Sequence, residues 1–178
     1  MKIEKSLLLI LLLIGFSGCA PRFASRHADP HLQRKINQQS QEIVRKLQLE
    51  NRDRDLRRFY STVQRYLGTP YLYSGDSRRG MDCSGLVKRV YQEIFGVKLP
   101  HNAYQQYQLS QSVSIYEVEP GDLIFFDTTG RGGIDHVGIF LGSNYMVHAS
   151  SSYGVVVARL DENYYSSRLV GAGRMITK

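Results

Sequence analysis

The chain has 178 residues, 42% of them hydrophobic, and a formal net charge of +7 at pH 7. This length allows one globular domain plus an appendage. The positive excess lies in residues 20–58, where ten basic residues stand against five acidic ones, whereas residues 59–178 carry eleven against ten. A nucleic-acid-binding domain carries its own basic face, so the near-neutral domain argues against that function. The basic segment either contacts an anionic lipid surface or is a solvated helix without a partner.

The first 18 residues have the pattern of an export signal. Lys2 and Lys5 precede an apolar run at residues 6–16, shorter than the roughly 20 residues that span a bilayer. The run ends in FSGC, which resembles the lipobox of bacterial lipoproteins. That resemblance implies a lipid anchor on Cys19, and Ala20 after it implies an outer membrane location facing the periplasm. An ordinary cleaved secretory signal is the alternative.

We predict three segments along the chain. They are a signal peptide at 1–18, a lipidated basic tether or helical spacer at 19–55, and a globular domain at 56–178. Within the tether, residues 20–29 are typical of a linker, and residues 31–58 carry only a thin helical stripe of apolar residues. A better amphipathic helix runs from Leu56 to Leu67 and stops before Pro70.

The domain is predicted to begin with helices and to end with strands. A loop at 68–82 leads to a helix that has Asp82 as its N-cap and stops at Gly96, and a short helix follows Pro100. Strands are predicted, between glycine-rich turns, at 123–126, 137–141, 145–149, 155–159 and 169–174. Helices followed by closely spaced strands predict an α+β fold, with the helices packed on an antiparallel sheet of about five or six strands.

Cys83 is the first candidate for chemistry. It follows the predicted N-cap, where unpaired backbone N–H groups and the helix dipole favour a thiolate and predict a lowered pKa. Gly85 would let another part of the chain approach closely. If Cys19 is acylated, Cys83 has no partner for an internal disulfide. A nucleophile is therefore predicted, and a buried structural cysteine is the alternative.

Two histidines are placed to serve that thiol. His136 begins one predicted strand and His148 ends the next, so a short turn would bring them side by side. We predict a Cys–His–His relay in which His136 accepts the thiol proton and His148 holds its ring through the far nitrogen. A zinc site on the same residues is the alternative, but their spacing is not typical of metal motifs, and we expect no cofactor or metal. His101 has no predicted role.

Several segments resemble the NlpC family of bacterial cell-wall cysteine peptidases. They are GTPYLYSG, MDCSGLV, EPGDLIFF, DHVGIFLG and YMVHAS, in the order and spacing of the family, within residues 59–178. The resemblance implies a minimal papain-like fold, with Cys83 as nucleophile, His136 as general base and acid, and His148 as the polar third member. It also implies that the Tyr71 hydroxyl faces the cysteine, and the Cys83 backbone N–H would complete an oxyanion site.

The same resemblance implies a substrate pocket and a substrate. Asp82 and Ser84 match positions that line the pocket, whereas Ser74 departs from the family pattern, which has a glycine there. The implied substrates are peptidoglycan stem peptides, cut between D-glutamate and diaminopimelate or at a diaminopimelate-containing cross-link. The alternative to an endopeptidase is a lipoprotein that binds the wall without cutting it. We expect a monomer.

Overall fold

The computed structural model describes residues 29–175. Within this range the helices are α1 (Pro30–Glu50), α2 (Arg54–Tyr66), α3 (Cys83–Phe95), α4 (Ala103–Leu109) and α5 (Asn163–Ser166). The strands are β1 (Asp76–Ser77), β2 (Gly80–Met81), β3 (Gln111–Val113), β4 (Leu123–Phe126), β5 (His136–Gly142), β6 (Tyr145–Ser150), β7 (Gly154–Arg159) and β8 (Leu169–Arg174). The predicted signal peptide and Cys19 lie outside the described residues. No helix in the described range is both long and apolar enough to cross a bilayer.

The main sheet of the described chain has six strands in the order β3-β8-β4-β5-β6-β7, and every neighbouring pair is antiparallel. Strands β5 and β6 form a hairpin whose turn residues Ser143 and Asn144 have φ values of 48° and 67°. Positive φ at both positions matches the right-handed twist of the flanking strands. The hairpin therefore sets the first residue of β5 near the later part of β6.

The main core lies between one face of this sheet and the first three helices. Leu86, Val87 and Val90 of α3 are fully buried in the same cluster as Val137 and Ile139 of β5. Burying an aliphatic side chain of this size contributes about 1.5–3 kcal/mol, so this packing fixes the height of α3 above the sheet. The site depends on that placement, because the first residue of α3 is Cys83.

Helix α1 packs against the edge strand β7. The Ser40 hydroxyl accepts a hydrogen bond from the Val157 backbone N–H at 3.0 Å, and the Gln33 side chain donates to the Tyr153 carbonyl at 2.7 Å. Val44 of α1 is fully buried in the main core. Part of the segment predicted as a tether or spacer is thus a helix that packs on the domain. The start of the globular domain at residue 56 stays a prediction.

The predicted α+β fold, with helices on an antiparallel sheet, is confirmed. The five predicted strands appear within one residue of their predicted bounds. Strand β3 was not predicted, because Gln111 and Ser112 are exposed and give no apolar signal. The two-residue strands β1 and β2 were missed as well, since they lie inside the segment predicted as a loop.

Candidate active site

Cys83 begins α3, directly after the N-cap Asp82. The Asp82 carboxylate accepts hydrogen bonds from the Gly85 backbone N–H at 2.7 Å and from the Ser84 hydroxyl at 3.0 Å. The bond from Gly85 occupies a backbone N–H that the first turn of a helix otherwise leaves unpaired. The cap thus fixes the direction in which α3 starts, and with it the position of the cysteine.

The same carboxylate holds two other parts of the chain. It accepts a hydrogen bond from the Ser74 backbone N–H at 2.9 Å, and it lies 2.8 Å from His101 Nε2. Asp82 and Ser84 are only 7% and 5% exposed, and neither lines the cleft described below. Their predicted contact with substrate stays a prediction, whereas the role of Asp82 in holding the start of α3 is directly visible.

The loop before β1 passes very close to the start of α3. A Cβ atom at Gly85 would lie 2.9 Å from His101 Nε2 and closer still to the Gly75 carbonyl, so the close approach predicted at Gly85 is confirmed. Ser74 has a φ of 57°, in the left-handed region that favours glycine. This backbone conformation explains why a glycine suits that position, and Ser74 keeps it while donating its N–H to Asp82.

Tyr71, Cys83, His136 and His148 all line one cleft of about 550 Å³. Cys83 lines the cleft although the residue is only 9% exposed. The backbone N–H of Val137, the residue directly after His136, acts to lower the pKa of the Cys83 thiol. The structure therefore brings together all four side chains predicted for catalysis.

A chain of hydrogen bonds leads away from the cleft behind His136. His136 Nε2 lies 2.9 Å from His148 Nδ1, and His148 Nε2 lies 2.9 Å from the Tyr165 hydroxyl. His148 is only 2% exposed and His136 is partly exposed. Since Nε2 of His136 is taken, Nδ1 is the ring nitrogen left to exchange a proton with a thiol. The contact predicted between the two histidines is present.

Both partners of the predicted thiol–imidazole pair are neutral near pH 7. Burial raises the pKa of the Cys83 thiol to about 11, and the Asp82 carboxylate adds to the shift, although the N–H groups of Val137 and Ser84 oppose it. Burial lowers the pKa of His136 to about 4, against the effect of nearby carboxylates. The predicted lowering of the Cys83 pKa is therefore wrong, because desolvation of the thiolate outweighs the amide-rich helix start.

The histidine behind His136 is neutral for the same reason. Burial, and then the neighbouring His136 ring, hold the pKa of His148 well below its usual range. On the other side of the thiol, Tyr71 bridges to Met81 through the backbone. Burial, and then the Cys83 and Asp82 groups, raise the pKa of the Tyr71 hydroxyl, which therefore keeps its proton and can donate it in a hydrogen bond.

The alternative zinc site has no structural counterpart in residues 29–175. No three His, Cys, Asp or Glu side chains within that range are grouped as metal ligands. The contact between His136 Nε2 and His148 Nδ1 also leaves those two nitrogens bonded to each other's rings. The two rings and the Tyr165 hydroxyl form a hydrogen-bonded chain, an arrangement that suits proton exchange.

Sequence reasoning missed two residues of the site. His101 was given no role, yet its ring lies against Asp82. Tyr165 was not singled out, because it lies on the four-residue helix α5, whose sequence NYYS carries no apolar periodicity. Nothing local in either segment indicates its partner, which lies 19 residues away for His101 and 17 for Tyr165.

A cysteine and a histidine pair in one cleft of an α+β fold are the side chains that the class of cysteine peptidases uses. Within that class, the model of the NlpC/P60 family matches residues 68–174, and the chain belongs to this family. The residues that carried the resemblance in the sequence, from GTPYLYSG to YMVHAS, fall within the match. Helices α1 and α2 both lie before it.

Two curated relatives illustrate the sequence similarity. The chain is 40% identical over 113 residues to the murein DD-endopeptidase MepS/murein LD-carboxypeptidase of Escherichia coli, over 62% of this chain and 58% of that protein. It is 38% identical over 113 residues to the gamma-DL-glutamyl hydrolase of Bacillus subtilis, over 63% of this chain and 27% of that protein. The chain thus spans between about a quarter and three fifths of their lengths.

Solved structures show the same fold. An NLP/P60 family protein of Staphylococcus aureus, similar to a lipoprotein, has a TM-score of 0.65 and 34% identity, over 72% of this chain and 44% of that one. RipD of Mycobacterium tuberculosis is a non-catalytic NlpC/p60 domain protein adapted to peptidoglycan binding. It has a TM-score of 0.58 and 23% identity, over 70% of this chain and 99% of that one. The fold alone therefore does not separate cutting from binding.

Proposed function

We propose that the chain is a peptidoglycan endopeptidase that hydrolyses amide bonds of stem peptides through the thiol of Cys83. Family membership and the murein hydrolases among its relatives support this proposal. The observation that carries it is the common cleft of Cys83 and His136, with His136 Nε2 held 2.9 Å from His148. A binding protein would have no need of a thiol, a base and a group that orients the base in one cleft.

The proposed reaction begins with a neutral pair. His136 Nδ1 takes the thiol proton while the sulfur attacks the peptide carbonyl. The sulfur therefore loses its proton only as the new C–S bond forms. The Tyr71 hydroxyl and the Cys83 backbone N–H are proposed to donate hydrogen bonds to the oxyanion that develops. His136 then gives its proton to the leaving amine as the C–N bond breaks, and an acyl-enzyme remains.

Water completes the cycle in the second half-reaction. His136, neutral again, accepts a proton from a water molecule that attacks the thioester carbonyl. Collapse of the tetrahedral intermediate breaks the C–S bond, and His136 returns the proton to the sulfur. The product leaves as a carboxylic acid, which loses its proton to the solvent, and the neutral thiol–imidazole pair is regenerated. The reaction needs no cofactor, because every proton is exchanged between the substrate, water and His136.

For the scissile bond, we propose either the bond between D-glutamate and diaminopimelate or a cross-link that contains diaminopimelate. The names of the two relatives point to different bonds, so they support the stem peptide as substrate class more strongly than one bond. We also propose a lipid anchor at Cys19 that holds the enzyme at the outer membrane, facing the periplasm. The FSGC motif supports the anchor, and the basic residues 20–58 suit an anionic lipid surface.

The test compares the full chain with Cys83→Ala and Cys83→Ser on purified sacculi, with released fragments identified by mass spectrometry. We expect the parent to release peptide fragments and both variants to release none above background, while their thermal unfolding stays close to that of the parent. Fragment release that survives in Cys83→Ala would overturn the thiol mechanism. Variant and parent that bind sacculi equally without releasing fragments would instead indicate a wall-binding protein. Fragment masses identify the bond.

A further inference from the structure

Tyr165 closes the hydrogen-bond chain that starts in the cleft. Its hydroxyl lies 2.9 Å from His148 Nε2, and its ring meets the His148 ring edge-on, with centroids 5.2 Å apart. Phe126 packs against the other side of the Tyr165 ring at 5.8 Å. The hydroxyl is thus held in place by aromatic packing, and it faces the only nitrogen of His148 that His136 does not use.

Two proton arrangements are possible along this chain. A neutral imidazole carries one N–H, and both histidines are neutral. In the first arrangement, Tyr165 donates to His148 Nε2, His148 Nδ1–H donates to His136 Nε2, and the His136 proton sits on Nδ1. In the second, His148 Nε2–H donates to the Tyr165 oxygen, His136 Nε2–H donates to His148 Nδ1, and His136 Nδ1 carries a free lone pair.

Only the second arrangement gives a base that can take the thiol proton. In the first, His136 Nδ1 already carries a proton and has no lone pair directed at the cleft. We infer that Tyr165 is a positioning residue, which accepts the Nε2–H of His148 and so keeps Nδ1 of His136 unprotonated for Cys83. In this role Tyr165 acts on the thiol through the two imidazole rings.

The cleft allows the tyrosine to act as an acceptor. A phenol oxygen accepts from His148 only if its own O–H points elsewhere, and Tyr165 lines the cleft, where that O–H can donate to water. Burial, and then the charge of Glu162, raise the pKa of Tyr165, so the hydroxyl keeps its proton near pH 7.

The first test is kinetic, and it rests on the proposed function. Tyr165→Phe removes the hydroxyl and keeps the ring, whereas Tyr116→Phe makes the same change at a tyrosine that is 96% exposed and lies outside the cleft. With soluble stem peptides and the full chain, we expect kcat to fall about 10- to 100-fold in Tyr165→Phe with KM unchanged, because a buried N–H loses its acceptor. Tyr116→Phe should match the parent. A kcat within twofold of the parent in Tyr165→Phe would overturn the inference.

The second test needs no substrate. In protein labelled with ¹⁵N histidine, NMR distinguishes protonated from unprotonated ring nitrogens, and Cys83→Ala can be used throughout. We expect His148 to carry its proton on Nε2 in the protein with Tyr165, and to lose that preference in Tyr165→Phe. A His148 proton on Nδ1 in the presence of Tyr165 would overturn the inference even if the enzyme is active. The expected tautomer without hydrolysis would support the inference while the proposed function fails.

Discussion

Two histidine clusters lie on either side of Cys83, and they are built differently. On the strand side, His136 and His148 contact each other and Tyr165, and no carboxylate of the described chain hydrogen-bonds to either ring. On the helix side, His101 lies 2.8 Å from the Asp82 carboxylate, which also caps α3. The cluster on the strand side consists of buried, uncharged groups, whereas the cluster on the helix side is centred on the Asp82 carboxylate.

The difference separates the proposed proton exchange from support of the backbone. Burial keeps His136 neutral against the effect of the Asp135 and Asp82 carboxylates, as the proposed base must be before it takes a proton. A carboxylate hydrogen-bonded to the His136 ring would favour the imidazolium more strongly and oppose that neutral state. The Asp82 carboxylate instead accepts hydrogen bonds from the N–H groups of Ser74 and Gly85 and from the hydroxyl of Ser84. Three predictions test this division.

The largest expected effect is the pH dependence of Cys83 alkylation in the full chain. With a thiol pKa of about 11, the thiolate fraction rises about tenfold per pH unit between pH 7 and 10, so the rate of reaction with iodoacetamide should rise in parallel. A small free thiol with a pKa near 8.5, measured beside the protein, should level off within that range. A protein rate already on a plateau at pH 7 would indicate a thiolate–imidazolium pair and contradict the neutral pair.

Next in size is the loss of stability in Asp82→Ala. The change removes an N-cap, which costs about 0.5–2 kcal/mol, and leaves buried donors without an acceptor, which costs about 1–3 kcal/mol. We expect the free energy of unfolding in urea to fall by about 2–4 kcal/mol. Asp161→Ala, which breaks an exposed ion pair with Arg159, is the control and should leave the free energy of unfolding close to that of the parent. Equal losses in the two variants would refute the supporting role of Asp82.

The smallest expected effect is that of His101→Ala. Asp82 keeps three other donors when His101 is removed, so the stability loss should be about 1 kcal/mol and kcat should stay within a few-fold of the parent. His148→Ala, the matching change in the other cluster, should lower kcat much further, because it releases the His136 ring. A loss of kcat in His101→Ala as large as in His148→Ala would erase the distinction between the clusters.

Much of the strand cluster could be predicted from the sequence, because a short hairpin leaves little freedom. His136 and His148 are twelve residues apart, and a turn at Gly142 to Asn144 pairs the strands between them. Both strands are buried along nearly their whole length, so the tight turn, and not an alternation of buried and exposed residues, indicated how they pair. Local pattern was therefore enough to predict the contact between these two histidines.

The helix cluster and the protonation states were harder to predict. His101 meets Asp82 only after the chain has passed through the whole of α3, and Tyr165 reaches His148 after strand β7. Neither contact leaves a periodic pattern in the sequence. The prediction for the Cys83 pKa failed for another reason. The sequence indicates where the helix starts but not how deeply the thiol is buried, and desolvation had the larger effect on the pKa.

The docking of α1 has a consequence for where the enzyme can work. Gln33, in the first turns of α1, bonds to Tyr153, which lines the mouth of the cleft. The start of α1 therefore lies beside a segment that lines the cleft. If Cys19 carries the proposed anchor, the ten peptide units up to Asp29 extend no further than about 36 Å. A tether of this length would confine hydrolysis to the layer of cell wall nearest the membrane.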